Sequence, residues 1–409
     1  MNKRGLAFVT ASFCTTFTSF AIRHTYGVLL PEMLPSLAIS KTEAGVIYSS
    51  YFIAYTVFSP VLGLLGDRIN IRVLLTLFPA ILGVGAFLMG YSSSLIEASV
   101  FFMLAGIGAS ACWAPVVAVA QRLVNDKWRG TTVAFIDAGA SLGVTASGAA
   151  MPLIVGAYSW RMGWQGVGTL ALLLVATNFV LVRSHPAEKS SLRHPKLGGY
   201  ASEPLRATYA TLLRDIKFWL IGLSYLLLGF STVIPYTFLS TYAVQEVRLP
   251  YELAARLITM MGAASLLGKL GLGSLSDVLG RIRLMMLCGV IVGVGSLGMV
   301  YCQRFLTLGL FSLMFGLGQG GTWPLYAACA RDYFPKGSTG TVVGFWTLLL
   351  GIGSIISPIT AGWIADITGT FTWSFILGMA TAMIASLLLG YSTMGTINPV
   401  SPSSEGTSG

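Results

Sequence analysis

The sequence predicts an all-α membrane protein of twelve transmembrane helices, arranged as two pseudo-symmetric six-helix bundles. Three observations predict it. Hydrophobic residues make up 55% of the 409-residue chain and charged residues only 10%, where a soluble domain carries about 25% charged residues. The apolar residues are gathered into runs long enough to cross a bilayer, which takes about 20 residues. The chain also repeats itself at an offset of 210 positions: Tyr26 answers Tyr236, Gly63 answers Gly273, Leu65 answers Leu275, Asp67 answers Asp277, Gly106 answers Gly316, Trp113 answers Trp323, Gly130 answers Gly340 and Gly143 answers Gly353.

The apolar runs give the elements in order: 6–31, 42–65, 71–92, 96–121, 130–155 and 162–183 in the first half, then 217–243, 253–275, 284–302, 305–329, 340–364 and 372–394 in the second. The first run is too long, and too closely followed by others, to read as a cleaved leader. Residues 1–184 form the first bundle and 217–395 the second. Between them, 185–216 is polar, basic and broken by Pro186, Pro195 and Pro204, and reads as a cytoplasmic linker. The tail 396–409 is small and polar and reads as disordered.

Most of the 25 Lys and Arg residues fall on one side of this topology, among them Lys3, Arg4, Arg68, Arg72, Arg122, Lys127 and those of the linker. The opposite loops hold Lys41, Arg161, Arg248 and Arg304, with Arg256 near a helix end. The positive side is the cytoplasmic one, so both termini are expected there, in a bacterial inner membrane. The net charge of +10 is therefore a topology signal suited to an anionic inner leaflet, and calls for no nucleic-acid partner. Cys14, Cys112, Cys288, Cys302 and Cys329 are scattered through apolar runs with no metal-ligand spacing; neither disulfides nor cofactors are expected. No paired carboxylates or nucleophile–base spacing points to an enzyme. Parallel repeats of a membrane unit are the architecture of secondary transporters, with the substrate site between the halves.

Two loop motifs carry a resemblance. Gly63-Leu-Leu65-Gly-Asp67-Arg68-Ile-Asn70-Ile-Arg72 lies between the second and third runs, and Gly273-Ser-Leu275-Ser-Asp277-Val278-Leu-Gly280-Arg281 between the eighth and ninth. They resemble the Gly-x-Leu-x-Asp-Arg/Lys-x-Gly-Arg/Lys-Arg/Lys loop of the major facilitator superfamily and its weaker second copy. Asn70 stands where the first copy has glycine, and Val278 where the second has a basic residue. The resemblance spans essentially the whole chain. It implies that Asp67, with Arg68 beside it, latches the halves together when the cytoplasmic side is closed, and by repeat symmetry assigns Asp277 a like role. Physically, a carboxylate beyond a helix end can face the positive end of a neighbouring helix; capping a turn is the plainer role for the same residues.

Charges within the apolar runs are expensive and mark function by default. They are Arg23, with His24 beside it, Asp137 and Lys269. Arg23 lies deep in the first run, and Glu32 is nine residues away, too far to pair along the helix. A buried guanidinium without a carboxylate calls for an anion, which its planar fork can grip at two points. Arg23 also stands eight residues before Pro31. This resembles the first helix of the organophosphate–phosphate antiporters and anion–cation symporters, which implies the role of anion clamp; the competing role is an arginine that meets only water and headgroups.

Lys269 stands eight residues before Asp277, about 12 Å along a helix. Gly268-Lys269-x-x-x-Gly273-x-Leu275-Ser276-Asp277 resembles the oxalate–formate and monocarboxylate branches, in which the position of Lys269 is a substrate-binding arginine. The Gly-Lys pair is no phosphate loop, since Leu270 follows where Ser or Thr is required. In this fold the fifth and eighth helices meet between the halves, so Asp137 and Lys269 are expected to face each other at similar depth, and Asp137 becomes the candidate for proton coupling. A purely structural hydrogen bond is the alternative for Asp137. Tyr26, Trp113, Tyr236, Gln319, Trp323 and Trp346 are the polar and aromatic candidates for lining the cavity, though membrane tryptophans pack more often than they bind.

The expected function is secondary active transport of a small organic anion, mono- or dicarboxylate, by alternating access, with protons or exchange supplying the drive and the chain acting as a monomer in the bilayer. A drug or metabolite efflux carrier is the alternative within the same architecture. That branch usually places acidic residues in the cavity, and Gly143, Gly148 and Pro152 meet its fifth-helix motif only in part. A non-transporting membrane receptor is the alternative of another class.

Overall fold

A computed structural model of the protein describes residues 3–65, 71–113, 116–117, 128–181, 211–335 and 338–394. Among them the chain is helical throughout, with no strand. Twelve helical units result, ten of them long and apolar enough, among the described residues, to cross a membrane. In the first half they are α1 (Lys3–Leu37), α2 (Lys41–Leu65), α3 (Ile71–Leu74, continuing as Leu77–Met89), α4 (Leu95–Ala109), α5 (Arg129–Ala157) and α6 (Trp160–Leu181). In the second they are α7 (Ile216–Gln245), α8 (Tyr251–Leu279), α9 (Arg281–Tyr301), α10 (Phe305–Tyr333), α11 (Thr339–Thr368) and α12 (Thr372–Met394). Their apolar outer faces carry exposed Leu153, Leu173, Leu306 and Leu387, as lipid-facing helices do. Asp67, Arg68, the linker up to residue 210 and the tail lie outside the described residues.

One span departs from the sequence expectation. α1 does not stop at Pro31 but continues through Pro35 to Leu37. Each proline forfeits one backbone bond, yet Met33 and Leu34 beyond the first are buried against the core, and tertiary packing holds the extra turns. α4 is interrupted after Ala109, where Ser110 donates its hydroxyl back to the carbonyl of Ile107 at 2.6 Å, a local bond that competes with helix; residues 116–117 are helical again, and 118–127 lie outside the described residues.

The repeat in sequence is a repeat in packing. In the first half α1 packs on α5 and α6, α4 on α2 and α3, and α3 on α6; in the second α7 packs on α11 and α12, α10 on α8 and α9, and α9 on α12. Between the halves α2 packs on α11, α5 on α8 and α1 on α7. The repeated glycines sit at equivalent crossings. A methyl group at Gly106 would strike the carbonyl of Tyr51, and one at its mate Gly316 the carbonyl of Met261. Likewise Gly143 abuts Phe17 on α1, and Gly353 abuts Leu226 on α7. In lipid there is little hydrophobic drive between helices, so such close backbone contacts supply the packing energy.

The two ends of the interface differ. At one end Asp366, near the end of α11, accepts from the backbone N–H groups of Lys41 and Thr42 at 3.1 and 2.8 Å and from the Thr42 hydroxyl at 2.5 Å. A carboxylate thus caps the positive N-terminus of α2 across the halves. Gly45 and Gly362 bring α2 and α11 into backbone contact there. Between α5 and α8 the cross-half contacts descend in order as Gly148 with Thr259, Thr145 with Gly262, Ser141 with Ser265, and Asp137 with Lys269. Below that ladder, an added Cβ at Gly130, Gly271, Gly273, Gly340 or Gly344 would meet nothing within 4 Å.

Candidate functional site

A cavity of about 150 Å³ lies at the interface, walled by α1, α2, α5 and Trp113 beyond the end of α4 from one half and by α7, α8, α10 and α11 from the other. A water needs on the order of 10–15 Å³ by the same measure, so the space suits a small molecule. Its charged lining residues are Arg23, Asp137 and Lys269, with His24 beside them.

Arg23 projects from the middle of α1 into an aromatic cage. Its guanidinium carbon lies 4.8 Å from the Phe20 ring centre, 5.3 Å from Tyr51, 5.1 Å from Phe52 and 5.2 Å from Tyr55. These are cation–π distances. Its Nε donates a long 3.4 Å bond to the Tyr51 hydroxyl. Among the described residues no carboxylate pairs with it. The rings follow from spacing, for Tyr48, Tyr51, Phe52 and Tyr55 recur at helical intervals and share one face of α2. The cage shelters the positive charge without neutralising it, and leaves the guanidinium with donors to spend.

Lys269 is in the opposite situation. Its Nζ lies 3.0 Å from Asp137 Oδ2 and donates to the Asp137 backbone carbonyl at 3.1 Å. The two side chains are only 10% and 15% exposed. Trp113 Nε1 donates to the other carboxylate oxygen, Oδ1, at 3.0 Å. The carboxylate is thus held on both oxygens, by an ammonium from the other half and by an indole from its own.

A polar chain completes the cavity. Gln319 Oε1 accepts from the Tyr236 hydroxyl at 3.2 Å and from Ser265 Oγ at 3.1 Å. Ser265 Oγ lies 3.2 Å from Ser141 Oγ across the interface. The His24 ring meets the Tyr236 ring edge-on at 4.6 Å, and its Nδ1 bonds the Phe20 carbonyl at 2.8 Å. Trp323 lines the wall edge-on to Tyr225.

The structure brings Arg23, Trp113, Asp137, Tyr236, Lys269, Gln319, Trp323 and Trp346 to this one cavity. Trp346 is fully buried and donates Nε1 to the Phe218 carbonyl at 3.0 Å, so it stands as a wall post. Tyr26 is not among the lining residues. It is fully buried, gives its hydroxyl to the Ala44 carbonyl at 2.7 Å and packs on Tyr48 and Phe102. Asp277 lies away from the cavity, pairs with Arg281 four residues on, and shares that arginine with Asp332 and Ser276. Asp67 and Arg68 are outside the described residues. The sequence reading missed the cage residues Phe20, Tyr51, Phe52 and Tyr55, and the hydroxyls of Ser141 and Ser265. The spaced aromatics on α2 were a visible signal for the cage; the serines, among many in the spans, gave none.

A family model described as Major Facilitator Superfamily matches residues 12–301 and 251–408. The chain is 25% identical over 416 residues to a hexuronate transporter of Bacillus subtilis, covering 94% of each chain. It is 23% identical to monocarboxylate transporter 12 of Xenopus laevis, covering 94% of this chain and 88% of the relative. It is 24% identical to the membrane sensor protein UhpC of Escherichia coli, covering 90% and 87%. Among solved structures, a bacterial homologue of the human lysosomal transporter Spinster in an inward-facing, unoccupied conformation superposes with a TM-score of 0.75 at 13% identity, over 96% of both chains. That last likeness is one of fold.

Proposed function

This chain belongs to the major facilitator superfamily, and we propose that it is a secondary active carrier of a small organic anion, a mono- or dicarboxylate, working by alternating access. The observation that carries the reading is Arg23: a cation in the cavity wall, enclosed by four rings and without a carboxylate partner among the described residues. The one carboxylate among the cavity's described lining residues is already matched by Lys269, so their net balance is positive and favours an anion over the cationic compounds of a drug exporter. Relatives named for hexuronate and monocarboxylate transport are consistent with that charge.

In this reading the substrate carboxylate docks on the Arg23 guanidinium as a bidentate pair. A second anionic group, or the same one at a later stage of the cycle, competes with Asp137 for Lys269. Asp137, displaced from its ammonium, is then the coupling carboxylate through which substrate occupancy is linked to proton transfer. Trp113 holds the side chain in place through the exchange. The Asp366 contact closes the outer end while the inner end opens, and the Asp67 loop closes the inner end in the other half of the cycle. The two bundles, 1–184 and 217–395, rock about the site as units joined by 185–216. The chain works as a monomer in a bacterial inner membrane with both termini cytoplasmic.

The test is uptake into sealed proteoliposomes containing only this protein. Radiolabelled monocarboxylates, dicarboxylates, hexuronates and sugar phosphates are compared with cationic and neutral solutes, with and without an imposed pH gradient. Saturable uptake of an anion that is lost in Arg23→Ala supports the proposal. Uptake confined to cations, or binding without flux, would overturn it.

A further inference from the structure

The hydrogen-bond chain across the cavity has a fixed polarity, and that polarity selects among anions. Gln319 Oε1 accepts from two hydroxyls, Tyr236 and Ser265. Each hydroxyl has one proton to give, so Ser265 spends its proton on Gln319. The Ser141–Ser265 contact at 3.2 Å therefore runs with Ser141 as donor. All three hydroxyl protons point along the chain toward Gln319. Its amide Nε2 carries no hydrogen bond within the protein among the described residues, although Gln319 lines the cavity. What remains for a ligand is two N–H donors on Gln319, with acceptor lone pairs on Tyr236 and Ser141.

A carboxylate or phosphate oxygen offers only acceptors. It would satisfy the amide but set negative charge against the spare lone pairs of Tyr236 and Ser141. A methylene satisfies neither. An alcohol satisfies both, because it accepts from the amide and donates to an oxygen in the same stroke. We propose that Gln319, with Ser141, Ser265 and Tyr236, is a hydroxyl-recognition subsite, and that the transported anion is a hydroxylated carboxylate held by its carboxylate at Arg23 and by its hydroxyls at Gln319. This rests on the anion reading of Arg23 and adds to it the chemistry of the rest of the molecule. The chain spans both halves, since Ser141 is on α5 and Ser265, Gln319 and Tyr236 are on α8, α10 and α7, so a hydroxyl bound there touches both bundles. Sites built to hydrogen-bond a substrate hydroxyl discriminate strongly against the analogue lacking it, because their own polar groups are then left unpaired.

The experiment compares acids matched in carbon count with and without hydroxyls, lactate against propionate and gluconate against hexanoate, in proteoliposomes of the full chain, with neutral glucitol as a further solute. The wild type is expected to favour the hydroxylated member of each pair by roughly tenfold or more in kcat/KM. In Gln319→Leu that ratio falls toward one, mainly through KM of the hydroxylated acid. Ser141→Ala lowers it by a smaller factor and serves where Gln319→Leu fails to elute as a monodisperse species in detergent. A wild type that takes propionate as readily as lactate and hexanoate as readily as gluconate overturns the proposal. So does a preference that survives in both variants. Transport of glucitol with neither acid carried overturns the anion reading and leaves hydroxyl recognition standing.

Discussion

Two cations share the cavity in unlike surroundings. Arg23 sits among Phe20, Tyr51, Phe52 and Tyr55, with one long hydrogen bond to a phenol and no carboxylate partner among the described residues. Lys269 sits 3.0 Å from the Asp137 carboxylate, which Trp113 also holds. The residue types fit their surroundings. An aromatic face attracts a cation without cancelling it, and the flat guanidinium can lie against several rings while keeping its edge free for a bidentate anion. A compact ammonium suits a point contact with a carboxylate oxygen and a backbone carbonyl. In the proposed reading, this difference makes Arg23 the standing offer to an anion. Lys269 is a charge kept satisfied until something displaces its partner.

The comparison breaks most readily at the pair. Removing one partner of a buried ion pair leaves the other charge uncompensated, at a cost of about 3–5 kcal/mol. Asp137→Asn and Lys269→Met should each lower thermal stability in detergent by that order, and the double substitution should recover most of it. Independent, additive losses would show that the two groups do not act as a pair. If Asp137 carries the coupling proton, the pH dependence of uptake flattens in Asp137→Asn.

Arg23 should behave in the opposite way. With no carboxylate waiting for it, Arg23→Ala strands no charge and should leave stability within about 1 kcal/mol, while substrate affinity falls roughly 100-fold, as expected for a lost charge-assisted contact. Arg23→Lys should restore little, since the fork is gone. Isothermal titration with the transported anion, alongside a melting curve, separates the two effects. A large loss of stability with unchanged affinity would make Arg23 a structural residue.

Trp113→Phe sharpens the contrast at lower cost. It removes the second donor to Asp137 while keeping the ring, and should reduce transport about tenfold, the loss of one hydrogen bond to a charged acceptor. If Asp137 carries the coupling proton, the substitution should also shift the pH profile of uptake. An unshifted profile would detach Trp113 from the pair.

The smallest effect is expected at the Asp366 end of the interface. Asp366→Asn keeps the shape but removes the charge that faces the N-terminus of α2, an interaction worth about 0.3–1 kcal/mol near a surface. Cysteine accessibility in the outer half of the cavity should rise two- to fivefold. Unchanged labelling would assign outer closure to the backbone contacts at Gly45 and Gly362 alone.

The fold was legible because its signals are local. Run length fixed the spans, and identity at one offset fixed the duplication, down to Gly106 with Gly316 and Gly143 with Gly353, which prove to be equivalent helix crossings. Within the site, the charged residues stood out because charge in an apolar run is costly, and Asp137 and Lys269 were expected to face each other at similar depth, where the structure holds them 3.0 Å apart. Tyr26 and Trp346 looked equally suited to a cavity. Their hydrogen bonds turn out to be spent on the backbone carbonyls of Ala44 and Phe218, a matter of neighbours that residue type does not disclose.

The sequence by itself therefore determined the class, the number of spans, the doubling and the sign of the cavity charge, because each depends on composition along the chain. Only the tertiary structure decided which cation is neutralised, which rings enclose Arg23 and which way the chain from Ser141 to Gln319 points its protons. Those properties are set by distances of about 3 Å between residues such as Ser141 and Ser265, more than a hundred positions apart in sequence, and only the packing of α5 against α8 brings them together.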